Sequence, residues 1–131
     1  MFTHLHLHTQ YSLLEGAIRI KDLVNELKVK GFESCAITDH CNMFGAVEFY
    51  HAMKGSDLKP IIGLGASVAK ENINISVEKY DRRGQMQFLC QNKLGYHNLN
   101  YLVSLSYTKG KVNGVPYITN DMLEKYNEGL F

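Results

Sequence analysis

The sequence lacks the features that mark a disulfide scaffold or a membrane protein. Its three cysteines, Cys35, Cys41 and Cys90, are odd in number and form no CxxC pair, which favours free thiols in a reducing cytosol over a disulfide framework or a zinc knuckle. No apolar run approaches the roughly 20 residues that a membrane span requires, and no signal peptide is recognisable. We therefore expect a soluble, cytoplasmic protein with no membrane association.

Charge imbalance and nucleotide-binding motifs are absent as well. Fourteen Lys and Arg residues nearly balance thirteen Asp and Glu residues, so the net charge of +1 does not by itself require a nucleic-acid partner. There is no P-loop, dinucleotide fingerprint or nucleophile elbow, which argues against the enzyme classes that carry them. The 131 residues, 45% of them hydrophobic, suffice for one ordinary domain.

The most distinctive stretch alternates histidine and leucine near the start of the chain. Side chains alternate between the two faces of a strand, so we expect His4, His6 and His8 on one face and Leu5 and Leu7 on the other, in the core. Histidines two residues apart are separated by roughly 6.6 Å along a strand, which lets two imidazoles converge on one metal. The alternative is a half-exposed strand whose histidines face solvent, and we favour metal or phosphate chemistry.

Strands and helices are predicted to alternate along the chain. Apolar patterning predicts strands at residues 2–8, 34–38, 61–68 and 86–90 and helices at residues 18–30, 44–53, 95–107 and 121–127. Residues 70–84 are expected to form a surface excursion, and residues 108–116 a loop. This order indicates an α/β fold with mostly parallel strands, in which chemistry gathers at the carboxyl ends of the strands.

Four side chains lie at the end of the first predicted strand or just after the second, and they would meet at one edge if these strands are neighbours. His6, His8, Asp39 and His40 supply imidazole and carboxylate ligands suited to zinc, manganese or iron. Such a cluster could generate a metal-bound hydroxide for attack on a phosphoester, with Asp39 and His40 as candidate catalytic residues. The alternative for Asp39 and His40 is an ordinary turn after a strand.

Other polar residues are expected to play supporting roles. Glu15, together with His4, is a candidate for the second shell of ligands. Cys41 is expected to be a small packing residue, because nothing beside it favours a thiolate. Surface, capping or ion-pair roles are expected for the residues on predicted helices, Glu48, His51 and His97.

Three blocks of the sequence resemble one family. They are HLHLHTQYSLLEG at residues 4–16, AITDHCNMFGAVEFY at residues 36–50 and KPIIG at residues 59–63, with weaker matches at residues 92–99 and 123–130. This sequence resembles the N-terminal polymerase-and-histidinol-phosphatase (PHP) domain of bacterial DNA polymerase III alpha subunits. The block at residues 42–50 resembles the polymerase branch specifically, whereas the histidine motifs alone would fit any PHP protein.

The resemblance implies a fold and a ligand set. The fold would be the first half of a distorted (β/α) PHP barrel related to the TIM barrel, with residues 1–131 forming an N-terminal portion of the domain. Carried over by position, the metal ligands would be His6, His8 and His40, with Asp39 beside them. Two family ligands are replaced, a Glu by Gly65 and a His by Gln85. Cys41 stands where the family has glycine, which would strain that turn if its φ is positive.

The resemblance also implies a function and partners. The chain would support a replicative DNA-directed DNA polymerase (a nucleotidyltransferase) whose catalytic domains lie outside these residues. Because of Gly65 and Gln85, we expect a degenerate metal site that serves as a structural platform, with the other alpha-subunit domains and a proofreading exonuclease subunit as partners and DNA reached through the holoenzyme. The alternatives are an active metal-dependent phosphoesterase or 3′ exonuclease, and a free-standing histidinol-phosphatase-like enzyme.

Overall fold

The computed structural model describes residues 2–69 and 84–131 and has an α/β architecture. The helices are α1 (Ile20–Val29), α2 (Ala46–Lys54), α3 (Lys93–Thr108) and α4 (Asn120–Tyr126). The longer strands are β1 (Ser34–Ile37), β2 (Lys59–Ala69) and β3 (Gly84–Leu89), and the two-residue strands are β4 (Lys111–Val112), β5 (Val115–Pro116) and β6 (Ile118–Thr119). Most of the predicted surface excursion, residues 70–83, lies outside the described residues.

Strand β2 is the central strand of the sheet and pairs with three other strands. Its first four residues pair in parallel with β1, its middle pairs antiparallel with β3, and its last two residues pair in parallel with β6. Glycines at positions 63 and 65 allow this crowding, because a Cβ at Gly63 would lie 2.5 Å from the Phe88 carbonyl oxygen. Three neighbouring segments are therefore positioned by a single strand.

The prediction of mostly parallel strands is confirmed for β1, β2 and β6 and is wrong for β3. Strand β3 returns beside β2 in the antiparallel direction, with Gly65 opposite Gln87. Alternating strands and helices predict parallel crossovers, but residues 70–83 connect β2 to β3 and no helix of the described residues separates them.

The prediction of a first strand at residues 2–8 is only partly right. This segment runs beside β1 but forms one isolated bridge, between His4 and Cys35, in which the Ala36 amide donates to the His4 carbonyl. The Thr38 amide also donates to the Leu7 carbonyl. Leu7 packs against the core, whereas Leu5 is half exposed and does not face it. The segment is thus an irregular extended edge, held at a few points.

Two hydrophobic clusters cover the two ends of β2. The first joins α1 and α2 to β1, with Phe49, Met53, Ile20 and Cys35 at its centre. The second joins α3 and β6 to β2 and β3 around Leu64, Leu99 and Leu102. The predicted helices α1 and α3 are confirmed because their apolar residues at three- and four-residue steps are the buried ones.

Turn chemistry explains how several elements end. Gly31 has φ of 73°, as predicted for the end of α1, and the Thr119 side chain caps α4 by accepting a hydrogen bond from the Met122 amide. Residues 108–116, predicted to be a loop, contain the β4–β5 hairpin. Asn113 and Gly114, both with positive φ, form its two-residue turn, a signal that the sequence carried. No helix of the described residues is both long and apolar enough to cross a membrane.

We expect Gly95→Ala to destabilise the protein even though alanine is the better helix former. A Cβ at Gly95 would lie 1.8 Å from the Gly129 carbonyl oxygen, in the turn that packs on the start of α3. Overpacking against backbone costs roughly 1–3 kcal/mol, more than the ~1 kcal/mol gained in helix propensity. Urea denaturation measures the difference, with Gly84→Ala as the control, because a Cβ there meets no atom of the described residues within 4 Å. Equal midpoints for the two variants would contradict this expectation.

Candidate functional site

The loop at residues 9–16 is anchored by one buried carboxylate. Asp39, at the end of β1, accepts hydrogen bonds from the Thr9 amide at 2.6 Å, the Thr9 hydroxyl at 2.7 Å and the Ser12 hydroxyl at 2.7 Å. The Ser12 oxygen in turn accepts from the His40 amide at 3.0 Å. Both oxygens of Asp39 are thus engaged by neutral donors within the protein.

Further contacts fix the shape of this loop. The Asn42 side-chain amide donates to the Tyr11 carbonyl, and the Tyr11 ring lies where a Cβ of Gly45 would be, at the start of α2. Gly16 is required because a Cβ there would lie 2.1 Å from the Thr9 carbonyl oxygen. The loop therefore returns close to its starting point and presents Glu15 toward the histidines.

Three histidines and Glu15 form a chain of contacts at the mouth of the sheet. His6 Nε2 lies 3.2 Å from His8 Nε2. The Glu15 carboxylate lies 3.5 Å from His8 Nδ1 and 3.1 Å from His40 Nδ1. The structure therefore brings His6, His8 and His40 together, as the sequence predicted, and places Glu15 between two of them.

The hydrogen-bond directions are consistent with a single set of tautomers. If Nδ1 of His40 carries its proton, that ring donates a hydrogen bond to Glu15, and a proton on Nδ1 of His8 faces the same carboxylate at 3.5 Å. Nε2 of His8 is then free to accept from His6 Nε2. A carboxylate on the far nitrogen of a histidine is the usual arrangement of a second-shell partner, which is the role expected for Glu15.

The spacing of the His6 and His8 nitrogens matches the geometry of a zinc site, but the number of described ligands does not. Two nitrogens bound to one tetrahedral zinc at about 2.0–2.1 Å lie roughly 3.3–3.4 Å apart, so the His6–His8 separation suits a shared ion. A zinc site, however, needs at least three protein ligands. Among residues 2–69 and 84–131, no three His, Cys, Asp or Glu side chains are arranged to hold a metal. The described side chains by themselves therefore do not complete a metal site.

The space at Gly65 is already filled. Gly65 forms a parallel bridge with His40 on one side and pairs with Gln87 on the other, so the three residues share a face of the sheet. A Cβ at Gly65 would lie 3.1 Å from the Thr38 carbonyl oxygen and 3.2 Å from Gln87 Oε1. Gln87 Oε1 is buried and has no hydrogen-bond partner among the described residues. A ligating side chain could enter at position 65 only if Gln87 moved.

The sequence pointed to Gln85 as the glutamine near the site, whereas the structure places Gln87 beside Gly65. Gln85 is exposed and lies opposite Ser67, two residues away from the Gly65–Gln87 pair. Because side chains alternate between the two faces of a strand, residues 85 and 87 of β3 must lie on the same face, and this much was predictable from the sequence. The pairing register with Gly65 required the tertiary structure.

The remaining candidate residues lie outside the histidine cluster. His4 contacts the rings of Phe2 and Phe32, with centroid distances of 4.8 and 5.3 Å, instead of the other histidines. Glu48 accepts a hydrogen bond from the Tyr11 hydroxyl at 2.7 Å and thereby raises the pKa of Tyr11. The helix residues His51 and His97 are exposed, as expected.

Cys41 is a packing residue in a strained turn. It is buried, and burial raises the pKa of its thiol, which disfavours the thiolate that a metal would bind. Its φ of 54° lies in the left-handed region that favours glycine, as the sequence comparison with the family anticipated. Burial also raises the pKa of both Cys35 and Cys90 to about 11, so the three thiols are predominantly protonated at neutral pH.

The comparison with known protein families identifies the domain. The PHP domain profile matches residues 4–131. The chain belongs to the PHP domain family. A solved amidohydrolase from Chromobacterium violaceum has a similar fold, with a TM-score of 0.59 and 18% identity over 79% of this chain and 32% of that protein. This fold similarity is consistent with the α/β barrel-like architecture predicted from the sequence.

Two curated relatives align with nearly the whole of this chain. The chain is 49% identical over 133 residues to the DNA polymerase III subunit alpha of Campylobacter jejuni, covering 98% of this chain and 11% of that protein. It is 42% identical over 129 residues to the DNA polymerase III subunit alpha of Helicobacter pylori, covering 98% and 10%. The chain thus spans about a tenth of the length of these relatives.

We expect Asp39→Asn to destabilise this PHP domain by roughly 1–3 kcal/mol. An amide retains one acceptor oxygen and turns an NH2 group toward a hydroxyl or amide that now donates to Asp39, which leaves a buried polar group unsatisfied. The free energy of unfolding in urea provides the measurement. Asp22→Asn is the matched control, because Asp22 is exposed and forms only a surface ion pair with Arg19. If both variants lost the same stability, Asp39 would not be the anchor of the loop.

Proposed function

We propose that the chain provides the N-terminal PHP portion of a replicative DNA polymerase III alpha subunit in the cytoplasm. In this role it is a structural platform that supports the other alpha-subunit domains and binds a proofreading exonuclease subunit. The observation that carries the proposal is the near-complete coverage of the chain by alpha subunits at 42–49% identity. DNA is reached through the assembled polymerase.

The geometry of the histidine cluster favours a platform over a hydrolase. The histidines are braced by hydrogen bonds to one another and to Glu15, and Asp39 is occupied by Thr9 and Ser12. At Gly65 the Gln87 amide fills the space where a further ligand would enter. We therefore assign His6, His8 and His40 to bracing the mouth of the sheet and Asp39 to positioning the loop.

The surface beside this cluster offers a docking site for the exonuclease subunit. Leu13 and Leu14 are almost fully exposed at the tip of the anchored loop, and Phe44 and Val47 are exposed at the start of α2. Leu14 also has a positive φ of 66°, a conformation that a leucine rarely adopts. Exposed apolar side chains on a rigid support are typical of a protein interface.

Metal-dependent phosphoester hydrolysis is the second candidate function. It is favoured by one observation, the 3.2 Å separation of His6 Nε2 and His8 Nε2, which would suit two ligands of zinc. The third ligand that a stable site requires would have to come from outside the residues that the structure describes.

Metal analysis distinguishes the two functions. We expect the purified chain, after gel filtration in zinc or manganese, to retain well under one ion per molecule and to hydrolyse bis-p-nitrophenyl phosphate no faster than buffer. His6→Ala and His8→Ala should leave both results unchanged. One ion per chain with turnover, lost in those variants but kept in the exposed control His51→Ala, would establish the hydrolase instead.

We expect the double variant Leu13→Ser, Phe44→Ser to weaken capture of the cognate exonuclease subunit at least ~10-fold. Removing two apolar side chains that a partner would bury commonly lowers the binding free energy by more than about 1.4 kcal/mol, which corresponds to a tenfold weaker affinity. Biolayer interferometry with the full chain provides the measurement. The matched control is Val29→Ser, which removes an equally exposed apolar side chain from the end of α1. No binding by the unmodified chain, or equal loss in the control, would contradict this docking surface.

A further inference from the structure

A second concave surface lies away from the histidine cluster and shares no residue with it. It is a groove of about 380 Å³ between the end of α3, the β4–β5 hairpin and α4. The lining residues that matter here are Lys109, Lys111, Lys125, Asp121 and Tyr126. We call this surface the lysine groove.

The lysine groove concentrates positive charge in a nearly neutral chain. Its lysines come from three different places, the residue after α3, strand β4 and helix α4, and all three are exposed. With one lining aspartate, Asp121, they leave an excess of two positive charges, whereas the whole chain carries +1. Among the described residues no lysine of the groove lies within ion-pair distance of a carboxylate. Among the described residues, Asp121 is the one carboxylate that lines the groove, and the positive charge remains in excess.

The backbone holds two of these lysines in place. Gly110, between Lys109 and Lys111, is buried; its amide donates to the Leu105 carbonyl and its carbonyl accepts from the Tyr117 amide at 3.0 Å. A Cβ at Gly110 would lie 2.0 Å from the Tyr117 carbonyl oxygen, so only glycine permits this close packing. The Asn113–Gly114 turn then fixes the hairpin that follows. The backbone that carries these two lysines is therefore fixed before a ligand binds.

An aromatic ring completes the groove. Tyr126 lines it and is half buried, and its ring lies 4.8 Å from that of Tyr101, centroid to centroid. Lysines and an aromatic ring that line one groove are the pattern used for single-stranded nucleic acids, in which lysines contact phosphates and a base stacks on the ring. An acidic peptide would use the lysines but has no group that requires the ring.

We propose that the lysine groove binds the phosphodiester backbone of single-stranded DNA, with Tyr126 contacting a base. The choice of DNA among single-stranded nucleic acids rests on the proposed function as a polymerase subunit. The binding itself rests only on the charge, rigidity and ring of the groove. It would give this platform a direct, sequence-independent contact with a template or displaced strand.

Fluorescence anisotropy with a fluorescein-labelled oligo(dT) tests the proposal on the full chain. We expect binding at low salt and, for Lys109→Gln, Lys111→Gln, Lys125→Gln, an affinity at least ~10-fold weaker. The slope of log K against log salt should fall by about 2, because three phosphate contacts contribute roughly 0.7 each. Tyr126→Leu keeps an apolar side chain against the core and should weaken binding several-fold without changing that slope.

The control variant removes the same charge elsewhere. Lys28→Gln, Lys54→Gln, Lys59→Gln changes three exposed lysines outside the groove and should bind as the unmodified chain does. Circular dichroism establishes that each variant is folded. Four results would overturn the proposal: no binding by the unmodified chain, equal loss in the control, equal affinity for a duplex of the same length, or preferential binding of poly-glutamate. Because the assay contains no exonuclease subunit, its failure would leave the docking platform untouched.

Discussion

The buried carboxylate of Asp39 is the constraint on which the candidate site depends. A carboxylate out of water must be matched by donors, and here three donors from Thr9 and Ser12 converge on it. The same contacts draw the loop at residues 9–16 onto the end of β1. Together with the Asn42–Tyr11 hydrogen bond, they hold Glu15 between His8 and His40.

Close packing explains why the site does not accommodate a metal from the residues described. Position 65 is a glycine between two occupied strands, and the neighbouring Gln87 amide lies over it. Protein interiors leave few voids, and here the Gln87 side chain fills the volume beside Gly65. The histidine cluster retains the spacing of metal ligands while hydrogen bonds perform the bracing that a metal would otherwise perform.

The two surfaces of this PHP domain differ in their chemistry. The region beside the histidine cluster is apolar and displays Leu13, Leu14 and Phe44, which suits a protein partner. The lysine groove is charged and rigid, which suits a polyanion. Both surfaces are carried by backbone turns with positive φ or obligatory glycines, so their shapes are set before any partner binds.

Sequence patterns alone determined the four helices, the three longer strands β1, β2 and β3, the family and the meeting of His6, His8 and His40, but not the short strands β4, β5 and β6. These follow from the local periodicity of apolar residues and from short motifs of characteristic spacing. Only the tertiary structure decided that β3 runs antiparallel, that Asp39 faces Thr9 and Ser12, and that Gln87 covers Gly65. The physical reason is that strand direction, register and side-chain partners depend on residues distant in the chain, which compete for the same space and the same hydrogen bonds.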